Sequence, residues 1–169
     1  MDDRRERARA YRRHHGGAVD GLLMLAVAAH PPARWPAGVE VDVVDHASPP
    51  ALIRENLDVN EQGFDPMAAP VGDEQAEAFR YELEGARAVT VRAGGRPVAA
   101  GMVLPVCAGV TEVAGVATLE PYRRRGYGRI ATEALLAAAA GLGADLVVLS
   151  TGEPVARRLY ERLGFTAVE

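Results

Sequence analysis

The chain contains no lysine: all 19 basic residues are arginine. Schiff-base catalysis by a lysine amine and a Walker-type phosphate loop, which needs its lysine, are therefore excluded. One cysteine, Cys107, occurs in 169 residues. It cannot form an internal disulfide, a Cys-x-x-Cys redox pair or a cysteine-rich metal cluster, so a reducing, cytoplasmic setting without a bound metal is expected. Aromatic residues are 5% of the chain and the net charge is -4. Few stacking groups and an acidic balance argue against a nucleic-acid partner. The apolar run from Leu22 to Ala29 is far short of the ~20 residues that a membrane span needs, and no membrane partner is expected.

What remains is the composition of one soluble α/β domain, with 49% apolar and 25% charged residues. A chain of this length buries roughly 70% of its unfolded surface, enough for a real core. Charge is unevenly placed. Between Glu40 and Glu84 twelve acidic residues face only Arg54 and Arg80, whereas "PYRRRGYGR", from Pro121 to Arg129, holds four arginines. The charged start of the chain followed by the Leu22 to Ala29 run has the outline of a secretory signal. Asp2, Asp3, Glu6 and Asp20 occupy what would be its positive region, so an added amphipathic helix is the preferred reading.

"VEVDVVD" alternates with period 2 and reads as a strand. "SPPALIRENLDVNEQGF" reads as a helix with Ser48 as N-cap, fading near Asn60 to Gly63. A second helix runs from near Asp73 to a stop at Gly85. "AVTVRAGGRPVAAGMVLPV" is a hairpin turning at Gly94-Gly95. "GVTEVAGVATL" is apolar on both faces except at Glu112, the pattern of a central strand, and Gly115 within it marks a bulge or a close backbone approach. An alanine-rich helix from Gly126 to Gly141, the buried strand "ADLVVLS", a helix "EPVARRLYERLG" and a strand stub at "FTAVE" complete the order β-α-α-β-β-β-α-β-α-β.

The arginine turn stands where a strand gives way to a helix. Unpaired N–H groups and the helix dipole stabilise an anion there, Gly126 and Gly128 admit it close to the main chain, and arginine forks suit phosphate oxygens. A diphosphate is the simplest ligand; a solvated arginine turn over a tightly packed helix start is the other reading. No third glycine follows Arg129, so the Rossmann pattern is absent.

"RRRGYG" (Arg123 to Gly128) matches the Arg/Gln-x-x-Gly-x-Gly/Ala signature of the GNAT superfamily of N-acetyltransferases, and "ARRLYERLGF" (Ala156 to Phe165) resembles that family's C-terminal signature. The resemblance extends from about Val39 to Phe165. It implies a mixed, mainly antiparallel sheet flanked by helices, with residues 1–38 as an N-terminal, helical extension and residues 39–169 as the N-acetyltransferase domain. It also implies acetyl-coenzyme A as co-substrate. The backbone of Val116, Ala117 and Thr118 would pair with the pantetheine arm, and Arg124, Arg125, Gly126, Tyr127, Gly128 and Arg129 would wrap the diphosphate.

The implied acceptor is a primary amine of a small molecule or peptide. Tyr160 matches the family's general acid, with helix packing as its alternative reading. Glu112 matches the general base of some relatives, with a structural carboxylate as its alternative. Core packing is compatible with the cofactor role of Val116 and Ala117. Glu153 stands where many relatives have asparagine, so no cofactor contact is carried over to it. The short C-terminus leaves closure of the acceptor side to the N-terminal segment or to a second copy in a homodimer. A non-catalytic acyl-coenzyme A-binding module of the same fold is the alternative function. The acidic stretch from Glu40 to Glu84 reads either as steering for a cationic amine or as solvated helix faces. Cys107, His14, His15, His30 and His46 have no spacing that points to a site.

Overall fold

The computed structural model describes residues 2–15, 21–28 and 34–168. Asp20, Ala29, His30 and Glu169, which enter the sequence reading, lie outside the described residues. The elements are α1 (Asp2–His15), β1 (Leu22–Val27), β2 (Val39–Val44), α2 (Pro50–Phe64), α3 (Asp73–Glu82), β3 (Arg87–Ala93), β4 (Arg96–Val103), β5 (Val110–Thr118), α4 (Tyr127–Gly141), β6 (Leu146–Thr151), α5 (Pro154–Arg162) and β7 (Thr166–Ala167). A 3-10 turn, Glu120–Tyr122, precedes the arginine cluster. The strands form one sheet in the order β2-β3-β4-β5-β6-β1-β7. Only β5 and β6 run parallel; the other neighbours are antiparallel, as expected of a mixed, mainly antiparallel sheet.

One expectation is overturned. The run beginning at Leu22 is a strand rather than part of a helical extension, and it is inserted between β6 and β7. Both of its faces are covered. Leu23 and Leu25 pack with Ala8 and Tyr11 of α1, whereas Met24 and Ala26 point into the core under α4. A strand buried on both sides shows no alternation, so periodicity cannot tell it from a short buried helix. Only α1 of the N-terminal segment is helical among the described residues.

Helices α1, α2 and α3 cover one face of the sheet and α4 and α5 the other. The alanines of α4 let it lie close to the strands, with Ala131, Leu135 and Ala139, spaced by four, fully buried. Asn56 of α2 is buried and donates through Nδ2 to Val89 O and Thr90 Oγ1, each at 2.9 Å, so its amide is satisfied as burial requires. The cap of α2 differs from expectation. Pro49 holds the N-cap position, and Ser48 Oγ instead accepts the Asp45 N–H at 3.0 Å in the preceding turn. The Gly94-Gly95 hairpin turn has both residues at positive φ, 57° and 80°, the conformation expected of a two-residue hairpin loop.

Helix α1 is tied down by Arg7, whose two terminal nitrogens donate to Asp145 Oδ2 at 2.8 Å and Oδ1 at 2.6 Å; Nη2 also reaches Ala108 O at 3.2 Å. Arg7 holds the Asp145 carboxyl below its ordinary range. A carboxylate whose folded pKa is depressed contributes stability above its unfolded pKa and loses it as pH falls through the folded one. The pair is exposed, so its contribution is at most about 1 kcal/mol. Asp145→Asn is expected to lower the unfolding temperature slightly near neutral pH. The gap from wild type should close as the medium is acidified, which a pH series of thermal melts checks.

Candidate active site

The site is built on β5, the central strand. Ala100 of β4 pairs with Ala117 and Met102 with Ala114, so Gly115 and Val116 together face Gly101. This is the bulge expected at Gly115, which has a φ of 62° that favours glycine. The extra residue shifts the alternation of side chains. Val110 packs toward α1, but beyond the bulge Ala117 turns toward α2 and Val116 packs against the core under α4.

The ladder between β5 and β6 covers only Val110↔Leu146, Thr111↔Val147 and Glu112↔Val148, although β5 continues to Thr118 and β6 to Thr151. Residues 113–118 therefore have β4 on one side and no strand on the other, which leaves a slot with main-chain groups along its edge.

The arginine turn closes the end of this slot. Gly126 is the N-cap of α4 at φ 86°, and no side chain caps the helix. Arg124 also has a positive φ, 63°, and has no hydrogen-bonding or ionic partner among the described residues. Arg125 lies over the Tyr122 ring at 5.9 Å, and Arg129 donates to Glu133 at 3.1 Å. Alternating backbone hand beside an uncapped helix start makes a concavity suited to an anion. A Cβ at Gly128 would stand 3.6 Å from Thr118 Oγ1 and 3.8 Å from Leu159 of α5. The end of β5, the start of α4 and α5 thus meet at one point.

Arg123, to which the sequence assigns no role, braces the turn. Its Nε donates to Thr118 O at 3.1 Å and its Nη2 to Gly63 O at 2.7 Å, which ties the turn to the last turn of α2. Its position inside the signature was visible in the sequence. Its partners were not, because they are backbone carbonyls of elements remote in the chain.

Glu112 and Tyr160 lie on opposite faces of the sheet. Glu112 shares the face of Val110 and is half-buried beside α1. Burial raises its pKa, and Arg12 and His15 of α1 partly counter that. Tyr11, in the same place, is pushed up to about 12 by burial, then by the charges of Glu112 and Cys107. Tyr160 packs in the core under α4 with its ring 5.7 Å from Phe165, and burial raises its pKa too. The slot beyond Glu112 lies between the two faces.

Part of the acidic stretch is engaged in ion pairs. Asp42 and Glu55 both hold Arg92, Asp73 pairs with Arg54, and Glu77 with Arg80. His46 is engaged through its carbonyl, which accepts from Arg80 at 2.6 Å. His15 stacks on Tyr11 at 4.7 Å, and Cys107 is exposed. Among the described residues no three His, Cys, Asp or Glu side chains converge as metal ligands, and no helix is long and apolar enough to cross a membrane.

The sequence model of the Acetyltransferase (GNAT) family matches residues 56–165, and the chain belongs to that family. The match takes in the bulged strand, the arginine turn and Tyr160. Among solved structures, a GCN5-related N-acetyltransferase from Kribbella flavida is 31% identical with a TM-score of 0.64, the match covering 94% of this chain and 59% of that one. A GCN5-related N-acetyltransferase from Sphaerobacter thermophilus is 21% identical with a TM-score of 0.61, over 94% of this chain and 52% of that one. Glucosamine-6-phosphate N-acetyltransferase from Arabidopsis thaliana is 14% identical with a TM-score of 0.56, over 73% of this chain and 88% of that one. The last two likenesses show the fold alone. The chain spans little more than half the length of the Kribbella and Sphaerobacter proteins. No curated protein matches it.

Two glycines separate close packing from backbone hand. A Cβ at Gly63 would lie 2.6 Å from the Ala117 Cβ, between a helix and a strand that cannot part cheaply, whereas one at Gly126 meets nothing within 4 Å. Gly63→Ala is expected to destabilise by about 1–3 kcal/mol through overpacking. Gly126→Ala should cost about 1–2 kcal/mol through its left-handed conformation alone. Denaturant unfolding of both variants measures the difference.

Proposed function

We propose that the chain transfers the acetyl group of acetyl-coenzyme A to a primary amine of a small molecule or peptide by direct attack in a ternary complex. The observation that carries this reading is the early end of the β5–β6 ladder beside the bulge, with an uncapped, arginine-bearing helix start at the end of the slot. A pantetheine arm entering the slot would add to the free edge of β5 at Val116, Ala117 and Thr118 as an extra strand. The diphosphate would meet Arg124, Arg125, Gly126, Tyr127, Gly128 and Arg129, with Arg124 the most available cation and Arg129 shared with Glu133.

In this reading Glu112 takes a proton from the amine, directly or through water, before nitrogen attacks the thioester carbon. Main-chain N–H groups at the bulge stabilise the oxyanion. Tyr160, on the other face, donates a hydrogen bond to the departing thiolate. A phenol is already about 1.5 pKa units weaker as an acid than a thiol, roughly 2 kcal/mol, and burial widens that gap. Tyr160 therefore supports the leaving group by hydrogen bonding more than by full proton transfer. Residues 39–169 act as the transferase domain. Within residues 1–38, α1 closes the face of Glu112 and β1 fills the sheet, so acceptor-side closure comes from the chain's own N-terminal segment.

Release of free coenzyme A with a panel of amines tests the proposal. Wild type is expected to release thiol, and Tyr160→Phe to lower kcat by about 10- to 100-fold. Binding of acetyl-coenzyme A without thiol release for any amine assigns the non-catalytic alternative instead. Because Glu112 works as a base only when ionised and burial raises its pKa, kcat/KM should rise with pH through a value above the ordinary carboxylate range. That limb should vanish in Glu112→Gln, as a pH–rate profile of the two proteins reads directly.

A further inference from the structure

The carbonyl of the bulge has a partner outside the sheet. Asn60, in the last turns of α2, donates from Nδ2 to Gly115 O, and its amide lies 3.1 Å from where a Gly115 Cβ would stand. Three residues on, Gly63 presses against Ala117, and its carbonyl accepts from Arg123. Residues spaced by three share a helix face. The end of α2 thus grips the part of β5 that lacks a strand on its other side.

We propose that Asn60 is a positioning residue for acetyl transfer, setting the Gly115–Val116 peptide so that the Val116 N–H is held ready for the thioester oxygen. The inference rests on the acetyl-transfer reading above. The peptide is planar, and no cis peptide bond occurs among the described residues. In a trans peptide the C=O and the following N–H point in opposite directions, so a carbonyl held toward α2 turns the Val116 N–H away from α2. Gly115 has the freest backbone in β5, and its peptide would otherwise rotate at little cost. Asn56, one turn earlier, anchors α2 to β3, which gives Asn60 a fixed base.

The test compares wild type, Asn60→Ala and Asn60→Asp for coenzyme A binding by calorimetry and for thiol release. In Asn60→Ala, affinity for free coenzyme A, which has no acetyl carbonyl, is expected to stay within about twofold while kcat falls at least ~10-fold. Binding of acetyl-coenzyme A should lose whatever advantage it has over free coenzyme A. In Asn60→Asp a carboxylate repels the Gly115 carbonyl, but its protonated form donates to it. The rate of Asn60→Asp relative to wild type should therefore climb as pH falls. That trend ties the effect to the hydrogen bond on the Gly115 carbonyl, while the split between free coenzyme A affinity and kcat separates positioning from a purely structural role.

Unchanged kcat in Asn60→Ala overturns the inference, as does a flat Asn60→Asp to wild-type ratio across pH. Equal losses of free coenzyme A affinity and of kcat also overturn it, because they mark a general distortion of the site. The broader reading fails separately, through wild type that releases no thiol. The acetyl-coenzyme A advantage, measured without turnover, then decides whether Asn60 sets the peptide.

Discussion

The bulge at Gly115 is the constraint on which the arrangement of this domain depends. One additional residue in β5 swaps the faces that its remaining side chains address, so that Ala117, the smaller residue, meets Gly63 of α2 at close quarters. Val116 is turned instead toward Leu135 and packs over Gly101. Had the alternation continued unbroken, valine would face the glycine of α2, where the Ala117 methyl already leaves no room for a Cβ at position 63. The same local twist accompanies the divergence of β5 from β6 beyond Glu112. Packing, slot and exposed backbone edge thus follow from one left-handed residue.

Much of this was legible in the chain itself. A glycine inside an apolar strand has few explanations, and Gly115 met the one that matters. Gly94-Gly95 and the glycine-arginine turn were equally readable, since positive φ restricts the residues that can serve. The run at Leu22 was not readable. Its two apolar faces carry no period, and its partners β6 and β7 lie more than a hundred residues further on. Ser48 was misread because its hydroxyl had two nearby uses, a cap and a turn, and the turn won. Asn60 and Arg123 were silent because each binds a backbone carbonyl of a distant element, and no side-chain pattern records that.

The absence of lysine has a structural counterpart. Arg92 reaches Asp42 and Glu55 together, Arg7 takes both oxygens of Asp145, and Arg123 joins two carbonyls on different elements. Each contact uses several nitrogens of one rigid fork, which a single ammonium on a flexible stem reproduces poorly. The arginines therefore divide into those that brace the frame and those, above all Arg124, left facing outward where the helix begins.

The place of β1 in the sheet bears on how the protein is made. This strand leaves the ribosome before both of its neighbours, and Leu22 pairs with Thr151 while Met24 pairs with Ala167. During synthesis at about 5–20 residues per second, a six-residue apolar segment waits many seconds for partners that do not yet exist. Such a segment is a hazard for pairing with other chains. In the folded chain the charged helix α1 just ahead of it covers one face of this segment, and β6 and β7 cover its two edges.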